Sequence, residues 1–203
     1  MGGRRTRPEN STMTLRTPIT MITWLATTLW FAAIAAAGAA AAGVFAILPG
    51  LEPTLAEYRA LDPALHGRLA SGLITEPIFT ATDIAQIVMS IIVIACVSAF
   101  WLLGLAAGRP LSRIAWSIAS LGAVACLWIR IIFVMPGMNA DLQRYRVAAR
   151  EGDAEQATVA YDAFNAMHPT ASSLMEVSAV LLLIAIAALA ACCTPAKSRR
   201  NKA

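Results

Sequence analysis

Five polar or charged side chains lie inside long apolar stretches of the sequence or at their edges, where such groups are costly. They are Arg130, Asp83, Gln86, Glu176 and His168. A charge held in hydrocarbon usually has a partner or marks a path for an ion or ligand. Asp83 and Gln86 are three residues apart and would share one face of a helix. We therefore expect these side chains to form one polar layer.

This layer has two interpretations. In the first, Arg130 pairs with Asp83 or Glu176, and the pair only fixes the register of the helices. In the second, the layer binds a small ligand, an ion or a proton. Residue types and spacing leave both open.

A second group of side chains has the chemistry of a soft metal site. Its members are Met135, Met138, Met167, His168 and Met175. Thioether sulfurs with an imidazole suit Cu(I), whereas methionine also fills gaps in apolar cores. Haem would need an axial ligand, and the chain has only His66 and His168. The sequence thus leaves the cofactor unknown.

Catalytic signatures are missing from the sequence. It contains no GxSxG, HExxH or P-loop pattern. No catalytic residue is therefore predicted, and we expect a protein that is not an enzyme.

Four apolar runs must position these residues, at 19–48, 82–107, 114–134 and 171–193. The chain is 58% hydrophobic and 14% charged, against about 25% charged in soluble domains. Each run reaches the roughly 20 residues that a spanning helix needs. The sequence predicts an all-α membrane protein with four transmembrane helices in residues 19–193. Basic segments, 1–18 and 194–203, flank this domain.

A pattern, P-G-[LM]-x3-L-x2-Y-R, occurs at Pro49 and again 87 residues later at Pro136. It predicts two tandem units, about 19–107 and 114–193, each a helix, an outer segment and a helix. Units with two spans share one orientation, so their axis would lie near the membrane normal. We expect the Pro-Gly pairs to end helices one and three, and short amphipathic helices to follow in the outer segments. Small residues four apart predict a close contact between helices one and three.

The distribution of positive charge predicts the orientation. Ten Lys and Arg residues lie in the two terminal segments and the link between runs two and three, against five in the outer segments. Positive segments stay in the cytoplasm, so both termini should be cytoplasmic. The expected partner is the lipid bilayer, and a homo-oligomer is compatible with the sequence. The basic residues form no continuous patch, which excludes nucleic acid.

The exit of the first helix at residues 45–49 and the row Phe164, His168, Ser172 and Glu176 resemble an uncharacterised family of bacterial four-helix membrane proteins. That family is grouped with the copper-resistance D-type membrane proteins. The resemblance spans most of residues 20–193, although it would place an Asn where this chain has Glu176. It implies a bundle in the bacterial inner membrane and a link to metal or haem proteins.

Two functions follow as expectations. The first is a small integral membrane protein whose polar site in the outer leaflet is structural or binds a small ligand or ion. The alternative is a membrane protein that handles copper or haem, with an oxidoreductase-like role.

The predicted orientation can be tested by labelling single cysteines at Ala60 and Ala154 in a variant without native cysteines. Both positions lie in outer segments, so a membrane-impermeant thiol reagent should label both in intact cells. Protection of both until lysis would reverse the orientation, and labelling of only one would contradict the parallel repeat.

Overall fold

Five α-helices dominate the computed structural model, which describes residues 10–59, 61–105 and 110–193. They are α1 (Asn10–Ile47), α2 (Pro63–Leu102), α3 (Pro110–Ile129), α4 (Met135–Glu151) and α5 (Ala154–Cys193). No β-strand occurs in these residues. Four stretches are long and apolar enough to cross a membrane: Arg16–Leu51, Pro63–Leu102, Pro110–Glu151 and Ala154–Cys192. The all-α fold with four transmembrane helices is confirmed.

The helices are longer than a membrane is thick. α2 and α5 have 40 residues each, which corresponds to about 60 Å, whereas the hydrocarbon is about 30 Å thick. The remainder, residues 48–81 and 135–170, is here called the head. The head contains nine carboxylates and five arginines, a content that favours water or lipid headgroups around it over hydrocarbon. Most of its helical parts are continuations of the spanning helices rather than separate short helices.

The two Pro-Gly pairs have different effects on the helices. Near Pro49 the chain leaves α1 through a 3-10 turn, Leu48–Leu51, and Glu52 then adopts a left-handed conformation with φ of 48°. Near Pro136 the helix continues through a wider π turn, Arg130–Val134, in which the Met135 N–H donates to the Arg130 carbonyl. The prediction that Pro136 ends the third helix is therefore wrong, because the π turn accommodates a proline that an ordinary helical turn would not.

The helices pack as two hairpins. α1 packs against α2, α5 packs against α3 and α4, and α1 also touches α5. The predicted close contact between helices one and three is replaced by these pairings. Its residues in α1, Ala35, Ala39 and Gly43, are exposed. In α3, a Cβ at Gly122 would come within 3.1 Å of Leu181, a residue of α5.

A small aromatic core holds the head together. Tyr58, Leu69 and Tyr145 are buried in it, and Tyr161 packs against them. The buried His66 ring holds the preceding loop on α2, since Nδ1 accepts from the Leu55 N–H at 3.1 Å and Nε2 bonds the Tyr58 carbonyl at 3.0 Å. Tyr58 and Tyr145 are the matched tyrosines of the sequence pattern, but the helices around them differ. The tandem repeat stays a prediction.

The segment that follows α1 lies in close backbone contact with α2. A Cβ at Gly67 would lie 2.5 Å from the Cα of Pro49. Any other residue at this position would push the segment Leu48–Leu51 away from α2. Glycine therefore fixes how the first hairpin closes.

The phenol of Tyr145 gives the head a dependence on alkaline pH. Burial raises its pKa above the ordinary 10.0, the phenols of Tyr161 and Tyr58 raise it further, and Arg68 opposes them. The folded protein holds the proton to a higher pH than the unfolded chain. The resulting stability is complete below pH about 10 and is lost as pH rises beyond it.

We expect the melting temperature to fall between about pH 9 and pH 11, and to fall less in Tyr145→Phe, which has no phenol proton at that position. Thermal unfolding of both proteins in one detergent across this range is the measurement. Equal slopes for the two proteins would contradict the assignment to Tyr145.

Candidate functional site

A chain of polar contacts crosses three helices near the end of the membrane span that adjoins the head. The Trp30 indole of α1 donates to Gln86 Oε1 at 3.2 Å, and Gln86 Nε2 donates to Asp83 Oδ1 at 3.3 Å. Asp83 then forms an ion pair with Arg130, through Nη2. This set of four residues is here called the polar layer. It connects α1, α2 and the π turn after α3.

The two charges of the layer differ in their access to solvent. The Arg130 side chain is 4% exposed, whereas that of Asp83 is 18% exposed. Asp83 Oδ1 accepts both hydrogen bonds of the carboxylate. Oδ2 has no hydrogen-bond partner within the described part of the chain. The layer therefore presents, beside a buried guanidinium, a partly exposed carboxylate with one oxygen that has no partner among the described residues.

Local structure explains the position of Arg130. It is the first residue of the π turn, whose extra residue per turn changes the direction in which side chains project. Its other terminal nitrogen, Nη1, lies 3.8 Å from the sulfur of Met135, which is a weak acceptor. Both terminal nitrogens of the guanidinium thus face groups of the protein.

Three of the five predicted layer residues come together: Arg130, Asp83 and Gln86. Glu176 and His168 do not join them. Both are exposed on α5. Glu176 has no ion pair in the described ranges. The His168 ring lies against Phe164, with centroids 5.4 Å apart. An exposed carboxylate near the head end of the span can reach lipid headgroups or water, which removes its need for Arg130.

The methionines divide between packing clusters. Met135, Met138 and Met167 belong to one small apolar cluster, while Met175 packs against the main membrane core. Met167 covers Gly137, where a Cβ would be 3.2 Å from its Cε. No group of three or more His, Cys, Asp or Glu suited to a metal occurs in the described residues. Packing accounts for these thioethers, and copper binding by them stays a prediction.

Sequence reasoning missed two polar contacts. One is Trp30, which is fully buried. A buried indole N–H needs an acceptor, and this was the available signal. The other is the ion pair in the head between Arg146, 6% exposed, and Glu76. Arg146 Nη1 and Nη2 donate to the two Glu76 oxygens at 3.2 and 2.9 Å.

The chain was compared with models of protein families, with curated proteins and with solved structures, and none of them matches it. The resemblance to copper-resistance D-type proteins therefore stays a prediction.

Charge removal tests whether the Arg130 pair supports the bundle. Arg130→Met leaves Asp83 without its counter-charge, and we expect a loss of roughly 3 kcal/mol in the free energy of unfolding. Adding Asp83→Asn should restore much of the loss, because removing both charges costs less than removing one. Unfolding in detergent measures both variants.

Glu176→Gln on the Arg130→Met background is the matched control, since it removes a carboxylate that does not touch Arg130. Rescue by this change as well would show a general charge effect. Wild-type stability of Arg130→Met alone would contradict a supporting role for the pair.

Proposed function

We propose that this chain is a non-enzymatic membrane protein whose polar layer binds a proton or a small hydrogen-bond donor at Asp83. The observation that supports this most is the asymmetry of the carboxylate. Oδ1 is occupied by Arg130 and Gln86, whereas Oδ2 has no hydrogen-bond partner in the described residues and the side chain is 18% exposed. A pair with a purely structural role has no need of a partly exposed carboxylate with a spare acceptor.

Binding at Asp83 would affect the rest of the protein through Arg130. A proton on Asp83 cancels the charge that balances the buried guanidinium. An unpaired charge in a low-dielectric site is costly, so Arg130 must then move or find another acceptor. The carboxylate and the π turn thus form an element with two arrangements, paired and unpaired.

The setting that we propose for this site is a bacterial inner membrane with both termini in the cytoplasm. Ten of the positive residues lie in the terminal segments and the link between runs two and three, which supports this orientation. The head and the open side of Asp83 would then face outward. Copper or haem handling has no comparable observation in its favour.

A lipid-soluble carbodiimide tests the proposal, since it reacts with carboxyl groups that take up a proton inside a membrane. We expect peptide mapping to find the adduct on Asp83, with more adduct as the pH is lowered.

Glu176 provides the control within the same molecule, since its side chain is exposed on the surface of α5. Glu176→Gln should leave the Asp83 adduct unchanged, and Asp83→Asn should abolish it. An adduct on Glu176 with none on Asp83, at every pH at which the protein stays folded, would overturn the proposal.

A further inference from the structure

A cleft of about 270 Å³ opens at the end of the head, where the first turns of α2 and α5 meet the last turn of α4. Its charged and aromatic walls come from Asp62, Arg68, Tyr145, Asp153 and Tyr161. Two leucines and several small residues complete the lining. A concave, mostly apolar surface with a few polar groups is typical of small-ligand sites.

Two tyrosines form the aromatic wall of the cleft. The rings of Tyr145 and Tyr161 are 5.5 Å apart and inclined by 50°. Arg68 Nη1 donates to the Tyr161 hydroxyl oxygen at 2.9 Å. This bond holds the guanidinium beside the rings and leaves the phenol proton of Tyr161 to donate elsewhere.

None of the three charged side chains of the cleft forms a salt bridge with another described residue. Arg68 has no carboxylate within salt-bridge distance in the structure's described residues. Asp62 Oδ1 accepts from the Ala64 N–H at 2.9 Å. Asp153 Oδ1 accepts from the Gln156 N–H at 3.0 Å. Each aspartate caps a helix with one oxygen and keeps the other available.

We propose that this cleft binds a small zwitterion, an amino acid with an apolar side chain. A ligand with only a positive charge would meet Arg68, and one with only a negative charge would meet both aspartates. A zwitterion matches both signs. Its ammonium group has three donors to share between Asp62 and Asp153, and its carboxylate suits the forked guanidinium of Arg68.

The apolar part of such a ligand also has a place. Tyr161 and the edge of the aromatic core at Tyr145 line the cleft, together with the small side chains of Ala149 and Ala157. This inference is independent of proton binding at Asp83, which lies in another part of the structure.

The test uses the full chain in detergent, with L-leucine and L-phenylalanine as probes. We expect either or both to raise the melting temperature in proportion to concentration, with binding confirmed by titration calorimetry. The leucine analogues that lack one charge, 3-methylbutylamine and 4-methylpentanoate, should bind about tenfold or more weakly than leucine, because each loses one set of charge-assisted hydrogen bonds.

Variants test separately how the cleft binds the carboxylate and the ammonium group of the ligand. Arg68→Met should weaken leucine about tenfold without weakening the amine, which loses a repelling charge. Asp153→Asn, in which the amide oxygen can still cap α5, should weaken leucine and the amine together. Arg59→Met is the matched control, since Arg59 is exposed and lies outside the cleft.

Two results would overturn the proposal. One is the absence of any shift or heat with both amino acids up to about 10 mM, which corresponds to no useful affinity. The other is equal binding of leucine and its singly charged analogues, or equal effects of Arg68→Met and Arg59→Met.

Discussion

A guanidinium near hydrocarbon needs a counter-charge, and the pair between Arg130 and Asp83 meets that need while joining the two halves of the molecule. α1 and α2 form one hairpin, and α3, α4 and α5 form the other. Arg130–Asp83 and Arg146–Glu76 both link α2 to the second hairpin. The two carboxylates are seven residues apart, two turns along one face of α2. One face of α2 thus carries the main polar connection between the hairpins, at the membrane boundary and again in the head.

The head depends on the same helices that cross the membrane. α2 and α5 pass without interruption from the membrane core to the aromatic core around Tyr58 and Tyr145. Rigid helices of this length transmit small rotations at one end to the other. A change in the pairing of Asp83 and an event in the cleft of the head would therefore act on common elements. The polar layer and the head are best regarded as parts of one mechanical unit.

The sequence alone predicted the spanning helices, which depend only on the length of the apolar runs. It did not predict features that depend on how helices rotate, wind and pack. Four runs of sufficient length specify four spanning helices, since hydrocarbon permits little else. Asp83 and Gln86 were correctly placed on one face by their spacing. Of the two partners predicted for Arg130, Asp83 forms the pair and Glu176 does not, and the sequence could not choose between them because rotation about the axis of α5 depends on packing. Pro136 was read as a helix end, since a π turn leaves no signature in residue type. The cleft forms where the ends of three helices meet, and no local sequence pattern predicts such a meeting.

The π turn also determines where this sequence can lose a residue. A π turn holds one residue more than the α-helix that it interrupts. Deleting a single residue within Arg130–Val134 would restore ordinary α-helical winding and leave everything after it nearly in phase, because a π turn takes up its extra residue locally. Deleting one residue from α3 instead would rotate everything after it by roughly 100° and shift it by about 1.5 Å. Arg146 would then face away from Glu76, and Tyr145 away from Tyr58. The π turn is thus a place where one residue can be lost while the phase between membrane and head is kept.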